Sequence, residues 1–135
     1  MNLEKKTTGM SIEEKISTLW IVVMFNMAFA DILGFMFPDF LEILETGYAD
    51  GIQITQGSML VAAIFLEIPI SMIFLSRALK YRANRRANII ASVVIIVFVI
   101  GGGSLALHYI FFATIEVLCM SLIIWYAWKW PNPEA

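Results

Sequence analysis

Gln56-Gly-Ser-Met-Leu-Val-Ala-Ala-Ile-Phe-Leu-Glu67-Ile-Pro69-Ile-Ser-Met-Ile-Phe-Leu-Ser-Arg77 decides the class of this protein. An α-helix needs roughly 20 apolar residues to cross a hydrocarbon layer of about 30 Å, and this stretch has that length. It also carries a carboxylate and a proline near its middle, where a purely lipid-facing segment has little use for either. Its apolar character extends over about residues 52–79, and three more apolar runs lie at about 18–37, 87–103 and 107–128.

Hydrophobic residues make up 60% of the 135-residue chain and the mean hydropathy is +0.81, well above the roughly 45–50% apolar content of a soluble domain. Four crossings consume about 80 residues, whereas six would leave almost nothing for loops. The expected fold is therefore all-α, an integral membrane four-helix bundle over residues 18–130, preceded by a polar segment 1–17 and followed by a short tail 131–135. The third run is rich in valine and isoleucine, which in water suggests a strand. A lone strand in lipid leaves its backbone unpaired, so the run is read as helix.

Local signals place the ends. Ser11-Ile-Glu-Glu14 matches a capping box at a helix start, and Pro38 to Gly47 reads as a short interfacial helix over about 38–46, with Phe40, Leu41 and Leu44 on the membrane surface. Ala28-Phe-Ala30 imitates a signal-peptidase site. The apolar run continues to Phe37, and Lys5, Lys6 and Lys15 are balanced by Glu4, Glu13 and Glu14, so cleavage is not expected.

All nine basic residues fall in three places: Lys5, Lys6 and Lys15 before the first run, Arg77, Lys80, Arg82, Arg85 and Arg86 between the second and third, and Lys129 after the fourth. The first loop carries Asp39, Glu42, Glu45 and Asp50 instead. By the positive-inside rule both termini are expected to be cytoplasmic, and Trp20, Trp125, Trp128 and Trp130 are expected at the same inner interface. The five clustered charges from Arg77 to Arg86 are expected either to attract anionic lipid head groups, at roughly 1 kcal/mol each, or only to set topology.

Asp31, Glu67 and Glu116 lie within the runs, with no lysine or arginine at comparable depth. A charged side chain at a helix centre costs roughly 2.5–3.5 kcal/mol on insertion scales, so these groups should face the bundle interior, share hydrogen bonds or carry protons. Helical spacing puts Gln56, Ala63, Glu67 and Ser71 on one stripe, and His108, Phe112, Glu116 and Cys119 on another. Asn26, Ala30 and Gly34 make a third, with Asp31 beside it. The expectation is an outward-opening polar pocket lined by Asn26, Asp31, Gln56, Glu67, His108 and Glu116, with a kink at Pro69. The alternative is that these groups only hydrogen-bond the helices together, at about 0.6 kcal/mol per bond.

No catalytic or nucleotide motif is present, and no cofactor or nucleic-acid partner is expected. Asp31, Glu67, Glu116 and His108 have suitable donor atoms for a metal but no ligand spacing, so no metal is expected. A single Cys119 forms no intrachain disulfide. Ala30 with Gly34, and Ala87 with Ala91, suit close helix packing within a subunit or between copies in a homo-oligomer. The leading functional reading is binding or movement of a small polar or cationic solute, or of protons, through the carboxylate-lined interior. The alternatives are a noncatalytic membrane partner or scaffold subunit, and a quinone-associated or acid/base enzyme using Glu67 and Glu116.

Ala30-Asp-Ile-Leu-Gly-Phe35, Gly51-Ile-Gln-Ile-Thr-Gln-Gly57, Leu66-Glu-Ile-Pro-Ile70, Tyr81-Arg-Ala-Asn-Arg-Arg-Ala-Asn-Ile-Ile90, Phe111-Phe-Ala-Thr-Ile-Glu116 and Trp125-Tyr-Ala-Trp-Lys-Trp130 resemble a family of small bacterial four-helix membrane proteins of unknown function. The resemblance covers nearly the whole chain after Leu19. It implies a multi-pass protein of the bacterial inner membrane and brings no activity. In size and plan the chain is more remotely similar to DoxX-like membrane proteins, some of which are associated with quinone-linked electron transfer; no residue is carried across from them.

A reporter active only in the periplasm, fused after Ala135, should give no signal. A strong signal would contradict the cytoplasmic C-terminus that the positive-inside rule predicts.

Overall fold

The computed structural model describes residues 9–132. Glu4, Lys5, Lys6, Pro133 and Ala135 lie outside the described residues. In chain order the elements are α1 (Ile12–Phe35), α2 (Asp39–Thr46), β1 (Tyr48–Ala49), β2 (Ile52–Gln53), α3 (Gln56–Ala78), α4 (Tyr81–Gly101) and α5 (Leu107–Lys129). The four long helices have 24, 23, 21 and 23 residues. At 1.5 Å per residue that is roughly 32–36 Å, enough for a bilayer core.

The long helices form a ring in which α1 packs on α3 and α5, and α4 packs on α3 and α5. Buried positions recur every three or four residues on each: Ile16, Trp20, Val23, Met27 and Ala30 on α1; Pro69, Met72 and Ser76 on α3; Asn84, Asn88, Ala91, Ile95 and Val99 on α4; Glu116, Met120, Ile123 and Ala127 on α5. This spacing is the seam of a helix bundle. Outside the seam, large apolar side chains such as Phe25, Phe74, Val97, Phe111 and Leu118 are exposed all round, as a hydrocarbon surrounding requires.

Several boundaries differ from the hydropathy reading for local reasons. The first long helix begins at Ile12, not at residue 18, because Ser11 caps it: its Oγ accepts from the Glu14 amide at 3.3 Å. The second begins at Gln56, not at 52. Asp50 and Gly51 both have positive φ (49° and 79°), and this primed turn pairs β1 with β2 before Thr55 and Ser58 cap α3 reciprocally. Only Leu79 and Lys80 separate α3 from α4, so α4 begins at Tyr81 and not at 87. Arg82, Arg85 and Arg86 are therefore on a helix and not in a loop. Charged residues at a helix end lower the local hydropathy without breaking the helix, because their long side chains reach the interface.

The early start of α4 puts two asparagines inside the bundle. Asn88 Oδ1 accepts from Trp20 Nε1 at 2.7 Å and from Ser76 Oγ at 3.1 Å, and its Nδ2 donates to Asn84 Oδ1 and to the Asn84 carbonyl. Asn84 Nδ2 in turn donates to the Ser76 carbonyl at 2.7 Å. Trp20, expected at the interface, is fully buried, because its indole N–H is spent on Asn88. Arg85 donates to the carbonyls of Ala127 and Trp128 at the free end of α5, Tyr81 Oη donates to the Trp130 carbonyl, and Arg77 Nε donates to Ser17 Oγ. All four long helices are thus tied at the end that carries Lys15, Arg77 and Arg82.

Asn88→Ala removes three side-chain partners at once and is expected to cost about 1–2 kcal/mol, since single bonds between membrane helices average about 0.6 kcal/mol. Asn26→Ala should cost little, because the Asn26 amide donates only to Val22 of its own helix at 2.8 Å. Denaturant unfolding in micelles measures both, and equal losses would contradict the network's role.

Candidate functional site: a carboxylate cavity in the acidic half

Towards the other end the helices are less tightly joined. A cavity of about 210 Å³ lies among them, lined by Met27, Ala30, Asp31, Ala62, Leu66, Phe98, Val99, Gly102, Tyr109 and Glu116. Its walls come from all four long helices, and its polar groups from α1 and α5. It shares Ala30, Asp31 and Tyr109 with a wider mouth of about 500 Å³, where Asp39, Asp50, Ser104 and His108 also face the space. The mouth lies beneath α2 and the segment joining α4 to α5.

Glu116 holds a place on the α5 seam, one turn before Met120, and is only 3% exposed. No described residue donates a hydrogen bond to its carboxylate, and the described residues place no ion pair on it. Asp31 stands on the neighbouring α1, next to buried Ala30, and lines both spaces. Tyr109 also lines both. Its hydroxyl donates to the Val99 carbonyl at 2.9 Å, and its ring fits because residue 103 is glycine: a Cβ there would stand 3.1 Å from Tyr109 Cε1.

The six residues expected in one pocket are divided. Asp31, His108 and Glu116 come together around this space, His108 at the mouth, where its ring packs on Phe37 with centroids 5.6 Å apart. Asn26 is half-buried and bonded within its own helix. Gln56 begins α3 and is exposed. Glu67 requires a correction: it is exposed on the outer surface of α3, while Pro69 is buried. Two residues on a helix are about 200° apart, so a seam through Pro69, Met72 and Ser76 turns Glu67 almost directly outward. No break accompanies Pro69, which lies within the continuous span Gln56–Ala78. Tyr109 was missed, although it stands seven residues before Glu116 and so on the same helical face.

Of the residues expected to meet lipid head groups, Lys80, Arg82 and Arg86 are exposed, and Arg82, Arg85 and Arg86 surround a space of about 210 Å³ with Tyr81 and Asn132. Arg77 and Arg85 are engaged in holding helices. Among the described residues no group of three or more His, Cys, Asp or Glu is arranged to hold a metal ion.

Fold and site together define a four-helix membrane-type bundle with a carboxylate cavity towards one end. A family model described as a family of unknown function, DUF6326, matches residues 9–135, and the chain belongs to that family. Searches of curated proteins and of solved structures found no match. The family match provides no link to DoxX-like proteins.

Proposed function

We propose that this protein binds a small organic cation in the cavity between Asp31 and Glu116. The observation that carries the reading is Glu116: a carboxylate 3% exposed, inside a membrane span, facing an open space with no protein donor. A carboxylate taken out of water needs a positive or hydrogen-donating partner, and no lysine or arginine stands near this depth to supply one. A Ca²⁺ or Mg²⁺ ion would need about six or more oxygen ligands, whereas most of this wall is apolar. An ammonium group with a compact hydrocarbon body matches two acids set among Met27, Ala62, Leu66 and Phe98, with the aromatic rings of Phe98 and Tyr109 in the same wall.

The rest of the charge pattern supports the same reading. Asp39 and Asp50 line the open end and Glu42 and Glu45 lie on the same short helix as Asp39, where their charge raises the local concentration of cations, and the described basic residues stand at the tied end. We place the tied, basic end in the cytoplasm of a bacterium and the mouth on the outer face of its inner membrane, on the positive-inside rule. Movement of the solute across would then require the Trp20–Asn88 network to open. Arg82 and Arg86, exposed beside the space at the tied end, are the residues we assign to anionic lipid head groups.

Equilibrium dialysis of the purified protein against labelled tetramethylammonium tests the cavity. Saturable binding is expected, with affinity lowered at least tenfold by Glu116→Gln, lowered by Asp31→Asn, and unchanged by Glu67→Gln. Absence of binding to the parent, or equal binding by Glu116→Gln, contradicts the proposal. For the basic end, Arg82→Gln with Arg86→Gln should reduce retention of anionic lipid at low salt without lowering the unfolding midpoint. Unchanged retention would leave these charges with a topogenic role alone.

A further inference from the structure

A groove of about 430 Å³ runs along α5 beside the end of α4. Its α5 wall is Tyr109, Ile110, Ala113, Thr114, Val117 and Leu118, a spacing that keeps all of them on one side of the helix. At 1.5 Å per residue the wall is roughly 13 Å long. It starts near the outer end of α5 and reaches mid-span, because Leu118 is the twelfth of the 23 residues of that helix. The hydroxyls within it are spent: Tyr109 donates to the Val99 carbonyl at 2.9 Å and Thr114 to the Ile110 carbonyl at 2.7 Å. Ala113, one turn from both Tyr109 and Val117, has only a methyl group, which leaves the space open. Ile100, Leu105 and Leu118 on its borders are exposed, so the groove is accessible from the hydrocarbon around the bundle.

At its outer end this groove runs into the mouth of the carboxylate cavity, since Gly103, Ser104, Leu105 and Tyr109 line both. Asp31, Asp39 and Asp50 line the mouth, and among the described residues no lysine or arginine lines either space. The two together have negative charge at the membrane surface and an apolar trough leading from it towards mid-bilayer. An ordinary phospholipid fits the trough but not the mouth. Its phosphate would meet Asp39 and Asp50 with no basic side chain to receive it, and like charges brought together repel.

We propose that mouth and groove together bind a cationic amphiphile with one alkyl chain, its ammonium head among Asp31, Asp39 and Asp50 and its chain along Ala113, Val117 and Leu118. The charge of the mouth selects the head, and the apolar trough adds affinity with each methylene it covers. The chain runs inward from the membrane surface, as those of the surrounding lipid do, so the molecule enters sideways from the bilayer without passing through water. This site goes beyond the cavity between Asp31 and Glu116: Asp31 borders on both, but Glu116 lines neither mouth nor groove.

The test is photolabelling of the full chain in phosphatidylcholine vesicles by decyltrimethylammonium carrying a diazirine at the chain end, with the modified residues located by mass spectrometry. Labelling is expected to be saturable and concentrated between Ala113 and Leu118. An uncharged probe with the same chain should label the exposed faces of all four long helices alike. Asp39→Asn with Asp50→Asn should lower labelling of the groove at least tenfold; both positions are exposed, and asparagine suits the positive φ of residue 50. Ala113→Trp, which fills the groove, should move the label elsewhere, while Glu67→Gln should change nothing. Circular dichroism should show each variant to be as helical as the parent. Even labelling of all four helices by the cationic probe overturns the proposal, as does undiminished labelling in the double aspartate variant. Equal labelling of the groove by a phosphatidylcholine with the same diazirine would make it an ordinary lipid contact and overturn the proposal as well. Tetramethylammonium binding to Glu116→Gln reads the cavity separately, so either site can fail without the other.

Discussion

The hydrogen bond from Trp20 Nε1 to Asn88 Oδ1 is the contact on which the rest of the bundle depends. Apolar burial holds the helices of a soluble bundle together, but lipid is as apolar as leucine and supplies little of that force. Close packing and polar contacts must decide which faces meet. Asn88 uses both acceptor sites and both N–H groups, and through Trp20, Ser76 and Asn84 it joins α1, α3 and α4 together. Arg85 adds α5 by donating to carbonyls that a helix end leaves unpaired.

Fastening one end has a consequence at the other. Helices joined at the basic end can diverge towards the acidic end, where Tyr109 to Val99 is the hydrogen bond between described long helices. The space between them is bounded by small residues, Ala30, Ala62 and Gly102, beside Asp31 and Glu116. Buried Glu116 and exposed Asp31 line this space without basic neighbours among the described residues, and the loop around α2 carries Asp39, Glu42, Glu45 and Asp50; the cation site proposed above rests on that arrangement. Tight packing and an open cavity thus occupy opposite halves of one short bundle.

The four spans and the separation of basic from acidic ends were legible in the sequence because each follows from composition over long windows. The facing of individual residues was legible only in part. Glu116 lies at seam spacing with Met120, Ile123 and Ala127, so its inward position was recoverable from periodicity. On helix α3 the one contrast legible in the sequence is the stripe of Gln56, Ala63, Glu67 and Ser71, and a carboxylate on an otherwise apolar helix points to the interior by its cost in lipid, whereas in the structure the whole stripe is exposed. The interior is instead marked by Ser76 and by the buried ring of Pro69. Asn84 and Asn88 were hidden for a related reason: the charges of Arg82, Arg85 and Arg86 made Tyr81 to Asn88 look like a loop, and a loop has no inward face to assign. The hairpin before α3 was signalled by Asp50-Gly51 and went unread, being shorter than any hydropathy window.

Sided thiol labelling of Glu116→Cys in a Cys119→Ser background, in membrane vesicles of known opposite orientations, measures most directly whether the buried carboxylate faces a cavity open at one end. A small membrane-impermeant reagent is expected to modify the cysteine from the face that carries Asp50, and tetramethylammonium is expected to slow the reaction. Modification from the face that carries Arg86, or none from either face, would contradict an outward-open cavity at Glu116.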